Sequence, residues 1–198
     1  MRARLRDAGV SGAEELGRFV SNPELFGASS FDERAAMPVL IVALPTLTDA
    51  LLVSAVAGHL RRAWARPAAF ESVLAAFEAW AERDPTTGWH LGDAVGTTAT
   101  AAHADSLLRV SRDTKYGTAR QMVVYALGRF KTVPGVRETL LRLIDEPGVA
   151  LHAMYALRRV LGPREALVHL ERVEREQRGT IIGDQATREV KKARKALS

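Results

Sequence analysis

The chain has 198 residues and no cysteine, so disulfide bonds, cysteine nucleophiles and thiolate-bound metals are excluded. The five histidines are scattered, none belongs to an HExxH pattern, and carboxylates do not cluster with them. Walker loops, GxGxxG turns and GxSxG elbows are also absent. The sequence therefore predicts neither a metal site nor a cofactor, and it leaves enzymatic activity undecided, with a non-catalytic protein as the first expectation.

Long hydrophobic runs are missing as well. The most apolar stretch, residues 35–47, is interrupted by Pro38 and Pro45. It is shorter than the run of about 20 apolar residues that a membrane-spanning helix needs. Residues 1–6 are basic, but no apolar signal core follows them. We therefore expect a soluble, cytoplasmic protein.

Two segments in the second half of the sequence are near copies of each other. They read QMVVYALGR at 121–129 and LHAMYALRR at 151–159, 30 residues apart. A self-match at a short, fixed period is typical of stacked structural repeats. The small Ala126 and Ala156 occupy equivalent positions in the two copies and would let neighbouring helices approach closely.

The spacing of apolar residues predicts that each repeat is a pair of short helices. From Ala119 to Phe130 the apolar residues follow the i, i+3, i+4, i+7 pattern of one helix face. A second apolar face spans residues 136–144 and is bounded by a Pro-Gly pair on each side. Further on, Gly162 and Pro163 are expected to end one helix and begin the next. Neither helix of a pair can bury its apolar face alone, so neighbouring pairs must stack.

These patterns predict an all-α protein, a right-handed α-solenoid of stacked antiparallel helix pairs with about ten helices. Residues 1–34 are expected to form an N-terminal helical segment, with a capping-box pattern at 11–14. Residues 35–198 are expected to form a single solenoid. Its repeats are clear over 104–198 and degenerate over 35–103.

The net charge of +5 is unevenly distributed. Residues 1–99 carry 9 Lys+Arg and 12 Asp+Glu, whereas residues 100–198 carry 19 and 11. Such an asymmetry can indicate binding to nucleic acid or to an acidic partner. The alternative is that arginine, which outnumbers lysine 23 to 5, is the preferred solubilising cation of this chain.

Three consecutive features of this region resemble the HEAT-like repeats of bacterial proteins, including the phycobilin-lyase type. They are the motif Ala-Arg-x-x-Val-x-x-Ala-Leu-Gly-Arg at 119–129, a short leucine-rich helix, and the motif Val-Ala-x-x-Ala-x-x-Ala-Leu at 149–157. The resemblance covers residues 100–198 well and 35–100 loosely. It implies a scaffold or adaptor, although a few HEAT-like proteins attach bilins or excise alkylated bases from DNA. It also implies that the second helix of each pair lines a concave surface.

On these second helices, tyrosine and a cation recur one turn apart. Tyr125 and Arg129 share a helix face, and Tyr155 and Arg159 repeat them one unit along. Such a row could bind phosphates and bases, or an acidic peptide. The alternative is that each tyrosine fills the groove between repeats, with the arginine stem covering it. The predicted binding residues on this face are Gln121, Tyr125, Arg129, Tyr155, Arg159 and Lys195.

A second candidate group combines Trp89 and Asp93, where another second helix is expected to begin near Trp89, with Arg120 at the start of the next one. If these helix ends converge, the carboxylate could stabilise a cationic sugar during base excision. The alternative is that Asp93 interacts only with the helix dipole and Trp89 with the core.

The resulting expectation is a non-catalytic HEAT-repeat scaffold or adaptor that binds a protein partner on its concave face. The alternative is a nucleic-acid-binding HEAT-like protein, including an alkylpurine-glycosylase-like enzyme that excises bases from DNA. A bilin lyase is a third, weaker possibility that the resemblance leaves open.

Overall fold

The computed structural model describes residues 1–9, 11 and 32–198. Every regular element within these residues is helical, which confirms the all-α prediction and the number of about ten helices. The capping-box helix predicted from Ser11 lies outside the described residues. The α-helices are α1 (Arg2–Asp7), α2 (Glu33–Ala43), α3 (Ala50–Leu60), α4 (Phe70–Trp80), α5 (Pro85–Thr98), α6 (Ala104–Arg112), α7 (Gln121–Ala126), α8 (Val136–Leu143), α9 (Ala150–Glu176) and α10 (Ile181–Lys195).

Contacts divide the chain into two compact units, Met1–Thr100 and Ala101–Ser198. The boundary lies close to residue 104, where the clear repeats are predicted to begin. A single solenoid over 35–198 stays a prediction, and each unit is described by itself. All three tryptophans belong to the first unit and all three tyrosines to the second, so tryptophan fluorescence monitors the unfolding of the first unit.

Aspartate caps fix the helix starts of the first unit. Asp32, Asp49 and Asp84 accept hydrogen bonds from backbone N–H groups in the first turns of α2, α3 and α5. In α5 the cap is followed directly by Pro85, whose fixed φ suits the first helical position. The helix therefore begins four residues before Trp89, where the sequence pattern places its start. Hydrogen bonding to Thr87 lowers the pKa of the Asp84 carboxyl, so this cap stays charged.

A buried histidine connects α3 to α2. His59 is 4% exposed, and its Nδ1 lies 3.0 Å from Oε1 of Glu33. Arg62 donates to both oxygens of the same carboxylate, at 2.8 and 2.6 Å. Burial lowers the pKa of His59 from its ordinary value of 6.5, and this effect outweighs the opposing hydrogen bond to Glu33.

This lowered pKa predicts an acid-sensitive first unit. The folded state holds His59 neutral while the unfolded chain takes up a proton as the pH falls below about 6.5, so the stability from this residue is present above that pH and lost below it. We expect urea unfolding, followed by tryptophan fluorescence, to show lower stability at about pH 5.5 than at about pH 7.5. The variant His59→Gln should show a smaller difference. An equal pH dependence in both proteins would contradict the assignment.

The second unit consists of helix pairs that pack on one another. α6 packs against α7, α8 against α9, and α9 against α10, while α7 also contacts α9 and α6 also contacts α8. The long helix α9 is interrupted at Gly162, whose φ of 76° and ψ of 169° are not helical. This confirms the break predicted at Gly162-Pro163, so α9 has a first part before Gly162 and a second part after it.

Gly128 allows a close approach between α7 and α9. A Cβ atom at Gly128 would lie 3.0 Å from Cα of Ala156 and 3.3 Å from Cδ of Arg159. The turn after α7 therefore contacts the backbone of α9 directly, and the stem of Arg159 lies over the glycine. The second sequence copy has Arg158 at the position equivalent to Gly128, and its side chain contacts Glu189 of α10.

Candidate interaction surface

Tyr125 of α7 and Tyr155 of α9, one repeat apart in the sequence, are in contact. Their ring centroids lie 6.3 Å apart and the ring planes are nearly perpendicular, at 85°. This edge-to-face arrangement is a favourable geometry for aromatic pairs. Tyr125 is 36% exposed and Tyr155 is half-buried, so the pair lies at the surface of the second unit.

Each tyrosine also has a cation near its ring, supplied by a helix later in the chain. The guanidinium of Arg159, on α9, lies 5.9 Å from the ring centroid of Tyr125. The ammonium of Lys192, on α10, lies 5.0 Å from the ring centroid of Tyr155. Both distances are within the range of about 6 Å for cation–π interactions. We call these four residues, Tyr125, Tyr155, Arg159 and Lys192, the aromatic–cation surface.

A buried carboxylate holds one edge of this surface. The Glu189 side chain is 1% exposed, and its oxygens accept from Nε of Arg158 at 3.0 Å and from Nζ of Lys192 at 2.7 Å. Hydrogen bonding to Glu189 raises the pKa of Lys192, so the ammonium stays charged over the ring of Tyr155. The sequence did not single out Glu189, because a glutamate among lysines on a terminal helix has the pattern of a solvated face.

The position predicted for Lys195 is occupied by Lys192. Both are exposed residues of α10, three residues apart. An α-helix turns by about 100° per residue, so Lys195 lies further around the helix from Glu189 than Lys192 does. The structure therefore places Lys192, and not Lys195, against Tyr155.

Gln121 and Arg129 flank the surface and make other contacts. The Gln121 side-chain amide donates to the carbonyl of Gly148 at 2.8 Å, which connects α7 to the residues before α9. The Arg129 guanidinium lies 5.2 Å from the ring centroid of Phe130, its neighbour in sequence. Arg129 is half-buried and lies four residues after Tyr125, so it adds positive charge close in sequence to the tyrosine pair.

The burial of Arg120 is inconsistent with its predicted place on an exposed concave face. Its side chain is 1% exposed. The guanidinium donates to the carbonyls of Ser111 and Gly117 and forms an ion pair with Glu146. Arg120 thus connects three segments inside the second unit, and we do not include it in the interaction surface.

Trp89 and Asp93 belong to the first unit. Oδ2 of Asp93 lies 2.5 Å from Nη1 of Arg61, so the Asp93 carboxylate already has a cationic partner. The Trp89 ring makes an edge contact with His90 at 5.4 Å between centroids. Burial, followed by the charge of Arg61, lowers the pKa of His90 and keeps it neutral at pH 7. A convergence of these residues with Arg120, in the other unit, stays a prediction.

Within the described ranges, no group of three or more histidine or acidic residues is placed to hold a metal ion. No helix of that part of the chain is both long enough and apolar enough to cross a bilayer. No family model, curated protein or solved structure matches the chain. The aromatic–cation surface is therefore the candidate site.

Proposed function

We propose that this chain is a non-catalytic, HEAT-like α-solenoid protein that binds a protein partner through the aromatic–cation surface. The helix pairing of the second unit supports the solenoid, because α7 contacts both its pair mate α6 and the equivalent helix of the next repeat, α9. A nearest-neighbour pattern of this kind is characteristic of solenoids. The 30-residue period supports it too, since equivalent tyrosines meet across that contact.

The contact between Tyr125 and Tyr155, with a cation from a later helix beside each ring, is the observation that carries the proposal. Tyrosine and arginine are enriched at the energetically important positions of protein interfaces. Paired aromatic rings provide a rigid contact area that loses little conformational entropy on binding. The close packing of Gly128 on Ala156, the residue after Tyr155, brings the end of α7 against α9 near this pair.

Nucleic-acid binding is the second candidate, and the charge of the second unit favours it. Residues 101–198 carry 19 Lys+Arg and 11 Asp+Glu. Non-specific binders of single strands stack bases on exposed aromatic faces. Here Arg159 and Lys192 lie over the tyrosine rings, and the rings contact each other, so less free ring face is left for a base. This geometry favours the protein partner.

Site-specific cross-linking tests the proposed function. With the photoreactive residue p-benzoyl-phenylalanine at Tyr125, we expect irradiation of cells of the native host to yield a discrete adduct with a protein, identified by mass spectrometry. The same residue at Val168, exposed on the second part of α9, is the control and should not yield that adduct. An identical set of adducts from both positions would contradict the proposal. A Tyr125 adduct that disappears on nuclease treatment would favour nucleic acid instead.

A further inference from the structure

No carboxylate of the described residues neutralises the positive charge of Arg159 on the aromatic–cation surface. Arg159 is exposed and takes part in no ion pair within that part of the chain. Two other arginines of the same unit differ in this respect, since Arg172 pairs with Asp145 and Arg194 pairs with Glu171. An exposed arginine left without an acidic partner can pair with a carboxylate from another molecule.

Lys192 retains binding capacity as well, and it is held in place. It is 52% exposed and donates to Glu189, which Arg158 also contacts. An ammonium group has three N–H donors, so a second carboxylate can bind Lys192 from the solvent side. Because the Glu189 carboxylate is buried, it fixes the position of the flexible lysine stem. Such fixing reduces the entropy that the side chain would lose on binding a partner.

The two cations are carried by neighbouring helices, which sets the spacing of the groups they can bind. Packed helices lie about 8–10 Å apart. A peptide in the polyproline II conformation rises about 3.1 Å per residue with three residues per turn, so side chains three residues apart lie on one face about 9 Å apart. Carboxylates at that interval can reach cations carried by neighbouring helices such as α9 and α10. The tyrosine pair beside them can contact the apolar parts of the same peptide.

From these observations we infer that the aromatic–cation surface binds an acidic peptide segment of a partner protein. Arg159 and Lys192 receive its carboxylates, and the buried Glu189 is a positioning residue that holds Lys192 for this task. The inference rests on the proposed function and specifies the chemistry of the partner. It predicts that duplex DNA binds more weakly than such a peptide, because Arg159 and Lys192 lie against aromatic rings.

The test uses fluorescence anisotropy with a labelled peptide of about ten residues that has glutamate at every third position, a length that spans neighbouring helices at about 3.1 Å per residue. The reference peptide has glutamine at the same positions. We expect the glutamate peptide to bind the full chain about ten-fold more tightly than the glutamine peptide, and less tightly as salt is added. Duplex DNA at the same ionic strength is the third probe and should bind more weakly than the glutamate peptide.

Three variants separate positioning from total charge. Lys192→Gln should weaken glutamate-peptide binding about ten-fold, whereas Lys191→Gln, an equal charge loss at an exposed neighbour, should change it less than about two-fold. Glu189→Gln makes the surface more positive, so attraction by net charge alone would strengthen binding. We expect weaker binding instead, because Lys192 loses its anchor. Circular dichroism checks that Glu189→Gln folds. If it does not fold, the comparison of Lys192→Gln with Lys191→Gln tests the inference.

Equal effects of Lys191→Gln and Lys192→Gln would overturn the inference, as would equal affinity for the glutamate and glutamine peptides. Tighter binding of duplex DNA than of the glutamate peptide would assign the surface to nucleic acid. The cross-linking experiment separates the two levels of the proposal. A protein adduct at Tyr125 together with no preference for the glutamate peptide would retain the proposed function and reject the acidic partner.

Discussion

Replacing Gly183 by alanine is expected to lower the free energy of unfolding by about 3 kcal/mol, at the upper end of the usual cost of overpacking. Gly183 lies in the first turn of α10, where a Cβ atom would be 2.1 Å from the carbonyl oxygen of Gln177 and 2.7 Å from its carbon. Both are backbone atoms at the end of α9, so the clash cannot be relieved by rotating a side chain. The turn between the two helices must open.

Opening this turn also breaks its hydrogen bonds. The Gln177 carbonyl accepts from the backbone N–H of Thr180 at 3.1 Å and from its hydroxyl at 2.8 Å. The same hydroxyl accepts from the N–H of Gly183 and caps α10. A methyl group at Gly183 therefore disturbs the cap and the end of α9 together. Because α10 carries Glu189 and Lys192, the substitution should also weaken the aromatic–cation surface.

Chemical denaturation followed by circular dichroism measures the effect, and Gly58→Ala in α3 is the matched control. No described atom outside the neighbouring backbone of its own helix lies within 4 Å of a Cβ at Gly58. In a helix interior, alanine is more favourable than glycine by about 1 kcal/mol, so the control should be neutral or stabilising. A loss of stability at Gly183 no larger than the change at Gly58 would show that the turn relaxes without cost.

The sequence predicted those parts of the structure that depend on local or periodic signals. The N-caps at Asp32 and Asp49 depend on a local signal of this kind, because the capping bond reaches only two or three residues along the chain. The Gly162-Pro163 pair is likewise a local break. Tyr125 and Tyr155 were found as a pair because identical residues recur at the repeat period, and stacked repeats bring equivalent positions together.

Residues whose role depends on distant partners were missed or misplaced. Glu189 and Arg120 are charged, and a charged residue in a sequence is normally assigned to the solvated surface. Their burial depends on Arg158 and Lys192 in one case and on Glu146, 26 residues away, in the other. Lys195 was predicted with a 40-residue step beyond the second copy, and that step crosses the helix break at Gly162. No pattern in the sequence reports the backbone contact that makes Gly183 necessary.

The second substitution with a large expected effect is Arg120→Met, which removes a buried charge while keeping most of the side-chain volume. We expect it to lower the free energy of unfolding by about 3 kcal/mol, the lower end of the cost of breaking a buried ion pair. The lower end applies because Glu146 is about one-third exposed and can be hydrated again when the guanidinium is lost. The carbonyls of Ser111 and Gly117 would lose their donor in the interior, which adds to the cost.

Arg137→Met on α8 is the matched control, since Arg137 pairs with Glu165 but both side chains are about half exposed. Exposed ion pairs contribute about 0–1 kcal/mol, so this variant should unfold at nearly the wild-type denaturant concentration. Arg120→Lys should fall between the two, because an ammonium keeps the charge but cannot reach three acceptors with the geometry of a guanidinium. If Arg120→Met were no more destabilising than Arg137→Met, the three contacts of Arg120 would not be supporting the fold. Arg120 would then remain a candidate binding residue.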